Sequence, residues 1–446
     1  MSSTPIADGA IAVDGSQIVA VGSRSSLAES FPDARTQDFV EAAIIPGLVN
    51  THSHIELTAL RGFLESEEGN FLGWLMKLTL ARHYHMTQDD LYVSAAWGAL
   101  EAARAGVTCL ADAGDAALTT VRALRDVGLR GIVHQESFGP DPALAEEQLE
   151  KLKEKVSRLR ELETKLVRVG VSPHAPYTVS ARQLELVTDY ALDEKLPLTM
   201  HAAESEAEEL FMFEGRGPFA EALEWRGIEW KAPGISTIQY LERHGVLRSR
   251  PLLAHCVRMS ERDLETLKDV DARVAHCPKS NAKLGHGSAS YTSFLRHEIR
   301  TGFGSDSVAS NNTCDILDEA RAALMISRAR GDKIGEDEMV KAEQALMTAT
   351  VGGARALGLE NEIGMLAEGM QADFAIVSLD RAHQLPVHDP VSALIHSSSG
   401  RDCLLTVVAG QEIFKDGRIL SVDEEQLRAR IKEIGKKVKG SLESGV

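Results

Sequence analysis

The sequence predicts an α/β fold: a (β/α)8 TIM barrel with a small β-sandwich domain built from both termini. Three observations lead there. Eight short apolar runs recur between residues 44 and 307, separated by segments such as Leu91–Ala105 and Ala181–Leu192 with apolar residues at helical spacing. Nearly every run ends in His, Asp or Glu, and in this barrel the C-terminal strand ends carry the chemistry. The two ends of the chain are β-rich and too short for a core of their own, so they are expected to pair.

In chain order, Ile11-Ala12-Val13, Asp14-Gly15 and Ile18–Val21 read as a hairpin with a tight DG turn. Residues 1–45 are assigned to the N-terminal part of the sandwich and 46–358 to the barrel. The barrel strands are expected in Ile44–His54, Thr108–Gly114, Gly131–Gly139, Val167–Tyr177, Pro197–Ser205, Leu252–Ser260, Arg273–Asn281 and Arg300–Ser307. A doubly wound sheet would also alternate, but no GxGxxG or GxxxxGK[ST] follows a run. Glu146–Glu163 reads as a solvated amphipathic helix outside the barrel, and Gly285-His286-Gly287 as a flexible lip after the seventh strand. Residues 359–446 return to strands at Asp373–Val377, Thr406–Gly410 and Glu412–Phe414, then to a charged helix from about Asp423 to Lys437 that packs outside.

Composition narrows the partners. The 446 residues hold 66 Asp and Glu against 48 Lys and Arg, a formal charge of −18. Such a chain repels phosphate backbones and anionic lipid, so a small-molecule substrate is expected, with no nucleic acid and no membrane partner. The 43% hydrophobic and 26% charged content excludes a disordered chain and a multi-span membrane protein. Five cysteines, an odd count without a CxxC pair, argue against a disulfide scaffold. With no basic n-region and no apolar h-region at the start, a cytoplasmic location is expected. A homo-oligomer is compatible with the sequence, which sets no oligomeric state.

The candidate site sits at the strand ends. In a strand, residues i and i+2 share a face, so His52 and His54 can reach one metal ion. His83 and His85 lie in a helical pattern, where i and i+2 diverge. His201 ends the fifth run, with Glu204 three residues on, and Asp306 ends the eighth. Three imidazoles and a carboxylate suit one divalent ion with an open position for water. Zn²⁺ is the first choice; Fe²⁺, Mn²⁺ and Ni²⁺ are also accepted by such a set. The ion would lower the pKa of a bound water from 15.7 towards about 7. Glu204 is then placed as proton carrier and His255, at the sixth strand end, as partner of the nucleophile or the oxyanion. No lysine ends the fourth run, where Ser172-Pro173-His174-Ala175-Pro176 stands, so one metal is expected rather than two. His174 is left free to contact substrate. Cys256 and Cys277, beside histidines that point in, are read as small buried residues pointing away from the lumen.

These pieces resemble the amidohydrolase superfamily, in particular its metal-dependent purine-deaminase and chlorohydrolase-like branch. Pro46–His54, Ser172–Tyr177, His201–Glu204, Leu253–Cys256, His276–Asn281, Gly302–Ser307 and Gly364–Asp373 follow one another in family order over almost the whole chain. The resemblance implies His52, His54, His201 and Asp306 as metal ligands, and Glu204, His255 and Asp306 as the catalytic groups, Asp306 taking the proton of the activated water. It places His174, Ser280 and Asn281 around the ligand. The methylthioadenosine/S-adenosylhomocysteine deaminases carry a ribose-binding glutamate shortly after the tryptophan that Trp74 matches; here Arg82-His83-Tyr84 stands there. They also use an arginine near the end of the third strand, where this chain has His134-Gln135. His54-Ile55-Glu56-Leu57-Thr58 and Phe71-Leu72-Gly73-Trp74-Leu75 look more like the aminodeoxyfutalosine deaminases of the alternative menaquinone pathway. In that reading Glu56 faces the ligand and Trp74 walls the pocket. The expected reaction is hydrolytic deamination of a 6-aminopurine nucleoside, first of all aminodeoxyfutalosine. The alternatives are methylthioadenosine/S-adenosylhomocysteine, guanine or s-triazine-type substrates, the last including dechlorination, and a non-catalytic barrel scaffold, against which the complete ligand set speaks.

Overall fold

The structure is a computed structural model that describes residues 5–443. Its strands are β1 (Gly9–Asp14), β2 (Gln17–Ser23), β3 (Ala42–Pro46), β4 (Leu48–Ser53), β5 (Val107–Gly114), β6 (Arg130–Ser137), β7 (Val167–Pro173) and β8 (Thr199–Ala202). They continue with β9 (Leu252–His255), β10 (Arg273–His276), β11 (Arg300–Phe303), β12 (Phe374–Ser378), β13 (Cys403–Val408), β14 (Gln411–Lys415) and β15 (Arg418–Ile419).

Strands β4 to β11 are the eight barrel strands. They form two parallel half-sheets, β4-β5-β6-β7 and β8-β9-β10-β11. Parallel bridges close the seams, from Val171 to Leu198 and from Ser53 to Asp306. At the second seam Asn50 donates to Ser305 Oγ (2.7 Å) and accepts from Ser305 N (3.0 Å), fixing the last strand against the first. β5 and β6 are buried at every residue, as parallel strands covered on both faces must be. The helices between them start on side-chain caps. Ser180, Ser205, Ser236 and Ser260 each accept from the backbone N–H three residues on.

The first apolar run, Ile44–His54, is not one strand. It divides at Gly47: β3 belongs to the terminal sheet and β4 to the barrel. The break needs glycine because a Cβ there would lie 2.0 Å from Thr108 Oγ1. Gly47 N donates to Asp373 O (3.0 Å), so the crossing point is tied to the returning chain.

The terminal segments do pair. Five antiparallel strands run in the order β15-β14-β13-β12-β3. The β1–β2 hairpin joins them through Ile18 N to Met370 O and Gly369 N to Ile18 O, both 2.9 Å. Ile18, Phe374, Ile376, Leu405 and Val407 form their shared core. The helix Ala145–Arg160 buries only its Ala145, Leu149, Leu152, Val156 and Leu159 face, as the amphipathic pattern predicts. The charged C-terminal helix, Glu424–Glu443, packs on the helix Gln88–Arg104 through Arg104–Glu424 (2.8 Å) and Lys437–Asp90 (2.7 Å). Among the described residues no helix is long and apolar enough to cross a membrane.

Candidate active site

Three strand ends deliver the cluster. β4 brings His52, with His54 immediately after it; β8 brings His201; the turn after β11 brings Asp306. Asp306 holds φ +55, strained for a non-glycine residue, and its N–H is held by His52 O (2.9 Å). Its Oδ1 lies 3.5 Å from both His52 Nε2 and His54 Nε2. The hydroxyls of Ser280 (2.5 Å) and Ser310 (2.8 Å) reach its other oxygen. Burial alone would raise this carboxyl. The imidazole of His52, 3.5 Å away, together with those of His255 and His54, outweighs burial and holds it well below the usual range.

The imidazole tautomers follow from their partners. His54 Nδ1 faces Ala113 O (2.6 Å) and His201 Nδ1 faces His174 O (3.1 Å). A carbonyl only accepts, so both Nδ1 atoms carry hydrogens and both Nε2 atoms offer lone pairs. Those Nε2 atoms stand 3.2 Å apart. Burial pushes both rings towards the neutral form, His201 far down, so a proton between them is disfavoured. Two lone pairs at this distance fit a shared cation; a tetrahedral zinc with nitrogens at 2.0–2.1 Å separates them by about 3.3 Å. His52, held by burial at about 4, presents a buried Nε2 with no hydrogen-bond partner to the same point. These residues fit a divalent metal.

His255 lies in the same group of ligand atoms, within 4.8 Å of His52, His201 and Asp306. Its electrostatic surroundings differ from those of the other imidazoles. Burial would lower its pKa, but Glu204, Asp306 and the hydrogen bond to Asn281 (2.8 Å) raise it, favouring the cation. A protonated imidazole has no lone pair for a metal. Its Nε2 instead points at Glu204 Oε1 (3.5 Å).

Glu204 is buried, and burial, reinforced by Asp306 and Glu208, pushes it up to about 7. Tyr177 donates to its Oε2 at 3.4 Å. Glu208 fixes the turn that carries it, accepting from Ala203 N (2.9 Å), Glu204 N (2.8 Å) and Thr237 Oγ1 (2.7 Å). Ala203 is held there at φ +52. Asp112 does the same for the first strand end, accepting from Ser53 Oγ (2.9 Å) and Ile55 N (2.8 Å).

The remaining expected site residues divide. His174 stands beside the cluster, its ring 4.6 Å from His201, with Nδ1 on Thr178 Oγ1 (2.8 Å). Ser280 Oγ and Asn281 Oδ1 are taken up by Asp306 and His255, while the buried Asn281 Nδ2 has no hydrogen-bond partner. Glu56 is not a free acceptor. Its Oε1 takes Arg82 Nε (2.7 Å) and its Oε2 takes Ala116 N (2.9 Å), with Gly114 leaving the room it needs. Trp74 sits one ring back, 6.3 Å from Phe71. Phe71 meets His286 (4.5 Å), and His286 Nε2 lies 3.6 Å from Glu204 Oε1. The segment expected as a flexible lip therefore packs inward: His286 is buried between two glycines at φ +72 and +100. Cys256 and Cys277 are buried free thiols.

Sequence reasoning passed over Glu208, Tyr177, Phe219, His286 and Glu136. Phe219 stacks on Tyr177 at 3.9 Å, a contact between distant segments that no local pattern encodes. Glu136 was legible: it follows His134 by two on the same strand face. Glu136, His174 and His201 form a second group of ligand atoms within 4.8 Å. It shares His201, whose nitrogens face His174 O and His54, so it is not an independent metal site.

The amidohydrolase family profile matches residues 43–413, and an imidazolonepropionase-like composite domain of bacteria matches residues 9–34. A 5-methylthioadenosine/S-adenosylhomocysteine deaminase of Syntrophobacter fumaroxidans is 31% identical over 97% of this chain and 94% of its own length. A zinc-bound adenosine deaminase from Xanthomonas campestris superposes with a TM-score of 0.85 at 26% identity, covering 97% of this chain and 94% of that one. The zinc complex of atrazine chlorohydrolase TrzN from Arthrobacter aurescens gives 0.82 at 25% identity, covering 95% and 94%. With a family match over most of its length, a barrel closed at the Ser53–Asp306 seam and the His/Asp cluster at that seam, the chain belongs to the amidohydrolase family.

Proposed function

We propose that the protein hydrolytically deaminates a 6-aminopurine nucleoside, replacing the exocyclic amine by oxygen and releasing ammonia. The observation that carries the reading is the pairing of a lone-pair-rich cluster, His52, His54, His201 and Asp306, with Glu204 poised near neutrality beside a cation-favouring His255. A divalent ion held by those four residues, zinc first, would supply Lewis acidity and lower the pKa of water at the site. Glu204 carries the proton to the ring nitrogen beside the reacting carbon. His255 Nε2, buried and without a hydrogen-bond partner, donates to the oxygen that gains charge. Asp306 Oδ1, left facing the imidazoles while the serines hold Oδ2, accepts the proton of the attacking water and passes it to the departing ammonia. Ser280 and Asn281 position Asp306 and His255, and His174 lines the ligand side.

Within this class, aminodeoxyfutalosine is the first substrate reading, supported by the sequence of the Phe71–Leu75 segment. Methylthioadenosine/S-adenosylhomocysteine is the second, favoured by the name of the relative at 31% identity. The test is an ultraviolet assay of metal-replete protein with aminodeoxyfutalosine, adenosine, methylthioadenosine and S-adenosylhomocysteine in parallel. Preference for the first substrate supports the first reading, and preference for the last two supports the second. No conversion of any of the four overturns the nucleoside reading and moves the search to guanine and s-triazines.

A further inference from the structure

Glu136 is a buried acid whose Oε1 has no hydrogen-bond partner, beside the candidate metal cluster. It is the penultimate residue of β6, at the end of the barrel that carries the metal cluster. It is 8% exposed, and its Oε1 has no hydrogen-bond partner. Its carboxyl lies within 4.8 Å of ligand atoms of His174 and His201. Phe138, two residues on and 41% exposed, stacks obliquely on His174 at 4.9 Å, so Glu136, Phe138 and His174 share one wall.

The surroundings define what this carboxyl can meet. The cation that acts on it, Arg82, is spent on Glu56 (2.7 Å) and Asp115 (3.2 Å), and Asp115 also takes Lys155 (2.6 Å). Glu56 and Asp115 thus take up Arg82 and Lys155 and leave Glu136 no cation of its own. A phosphate or carboxylate on the ligand would find no free positive charge here. A neutral group with adjacent donors would satisfy both carboxyl oxygens. Natural proteins seldom leave a buried polar atom unpaired unless a water, ion or ligand completes it.

We infer that Glu136 is the sugar-recognition residue of the pocket, its carboxyl group paired with the two adjacent hydroxyls of a nucleoside's ribose. The inference rests on the nucleoside reading above and makes Glu136 a specificity determinant. The discriminating probe is a substrate pair, adenosine and 2′,3′-dideoxyadenosine, which differ only in those hydroxyls. In Glu136→Leu, kcat/KM for adenosine should fall about 30- to 100-fold, as expected for hydrogen bonds to a charged or strongly polar group. The value for the dideoxynucleoside should change by less than about threefold, and metal content should match the wild type. Glu136→Ala should give the same ratio if leucine disturbs folding. An equal loss on both substrates, with the wild type active on them, overturns this inference alone. A wild type inactive on both, and on the nucleosides above, removes the nucleoside reading and this inference together.

Discussion

Glu204 gathers its function from three neighbours that come from three different elements. Tyr177 donates to Oε2, while His255 and His286 face Oε1 at 3.5 and 3.6 Å. Burial raises it to about 7, where a carboxyl both takes and returns a proton near neutrality. Glu204→Gln keeps the shape and removes that capacity. It should lower kcat by about 10²- to 10⁴-fold. Metal content, read by atomic emission, should stay at the wild-type level, since Glu204 is outside the ligand set. Retained turnover would remove the acid/base assignment. His201→Ala is the complementary case. It deletes one of two Nε2 atoms held 3.2 Å apart, so the purified protein should lose its metal, and full occupancy would refute the ligand role.

At the scale of elements, legibility follows period and distance. His52 with His54, His201 and Asp306 were readable because a strand's two-residue period and the fixed polarity of a barrel place strand ends together. The break at Gly47 was not, because the run is apolar on both sides and only the approach of Thr108 from the next strand forbids a side chain. Loop contents were least legible. Glu56 is captured by Arg82 from the helix Phe71–His85, and His286 turns inward onto Phe71, both decided by long-range packing. A similar long-range contact holds the loop that carries Asp306. Glu319, in the first turn of the helix Ile316–Ala329, accepts from Asn311 Nδ2 (2.5 Å) and Lys279 N (3.2 Å) and is fully buried. Burial raises it to about 7, with Lys279 and Asn311 opposing. Its folded pKa exceeds its unfolded value of 4.5, so the folded state binds the extra proton between the two. The stability it contributes is complete below about pH 4.5 and lost as pH rises through about 7. Urea denaturation of Glu319→Gln against wild type should therefore show the variant gaining relative stability from pH 5 to pH 8, by up to about 3 kcal/mol. A constant difference across that range would show that Glu319 is ionised when folded.

For the whole molecule, the question is how the terminal sheet is tied to a barrel whose chemistry lies at the other end. Arg130, the first residue of β6, forms a two-point pair with Asp373: Nε to Oδ2 at 2.8 Å and Nη2 to Oδ1 at 3.0 Å. The two are 3% and 1% exposed, and Asp373 also accepts from Ala409 N (2.8 Å). Gly47 N meets Asp373 O, so this residue joins the start of the barrel to the returning C-terminal chain. Removing one member of a buried pair strands the other charge, which costs about 3–5 kcal/mol. Asp373→Ala should lower unfolding stability by that amount in urea. Replacing both residues by apolar ones, Arg130→Met with Asp373→Leu, should recover most of it, because no charge is then left buried. Six residues of β6, about 20 Å at strand rise, separate Arg130 from Glu136 at the site. The folded fraction of Asp373→Ala should therefore keep wild-type metal content and kcat/KM within about twofold. If instead the folded variant lost metal, the terminal sheet would be holding the strand ends in register through the length of the barrel, and the sheet would count as part of the site.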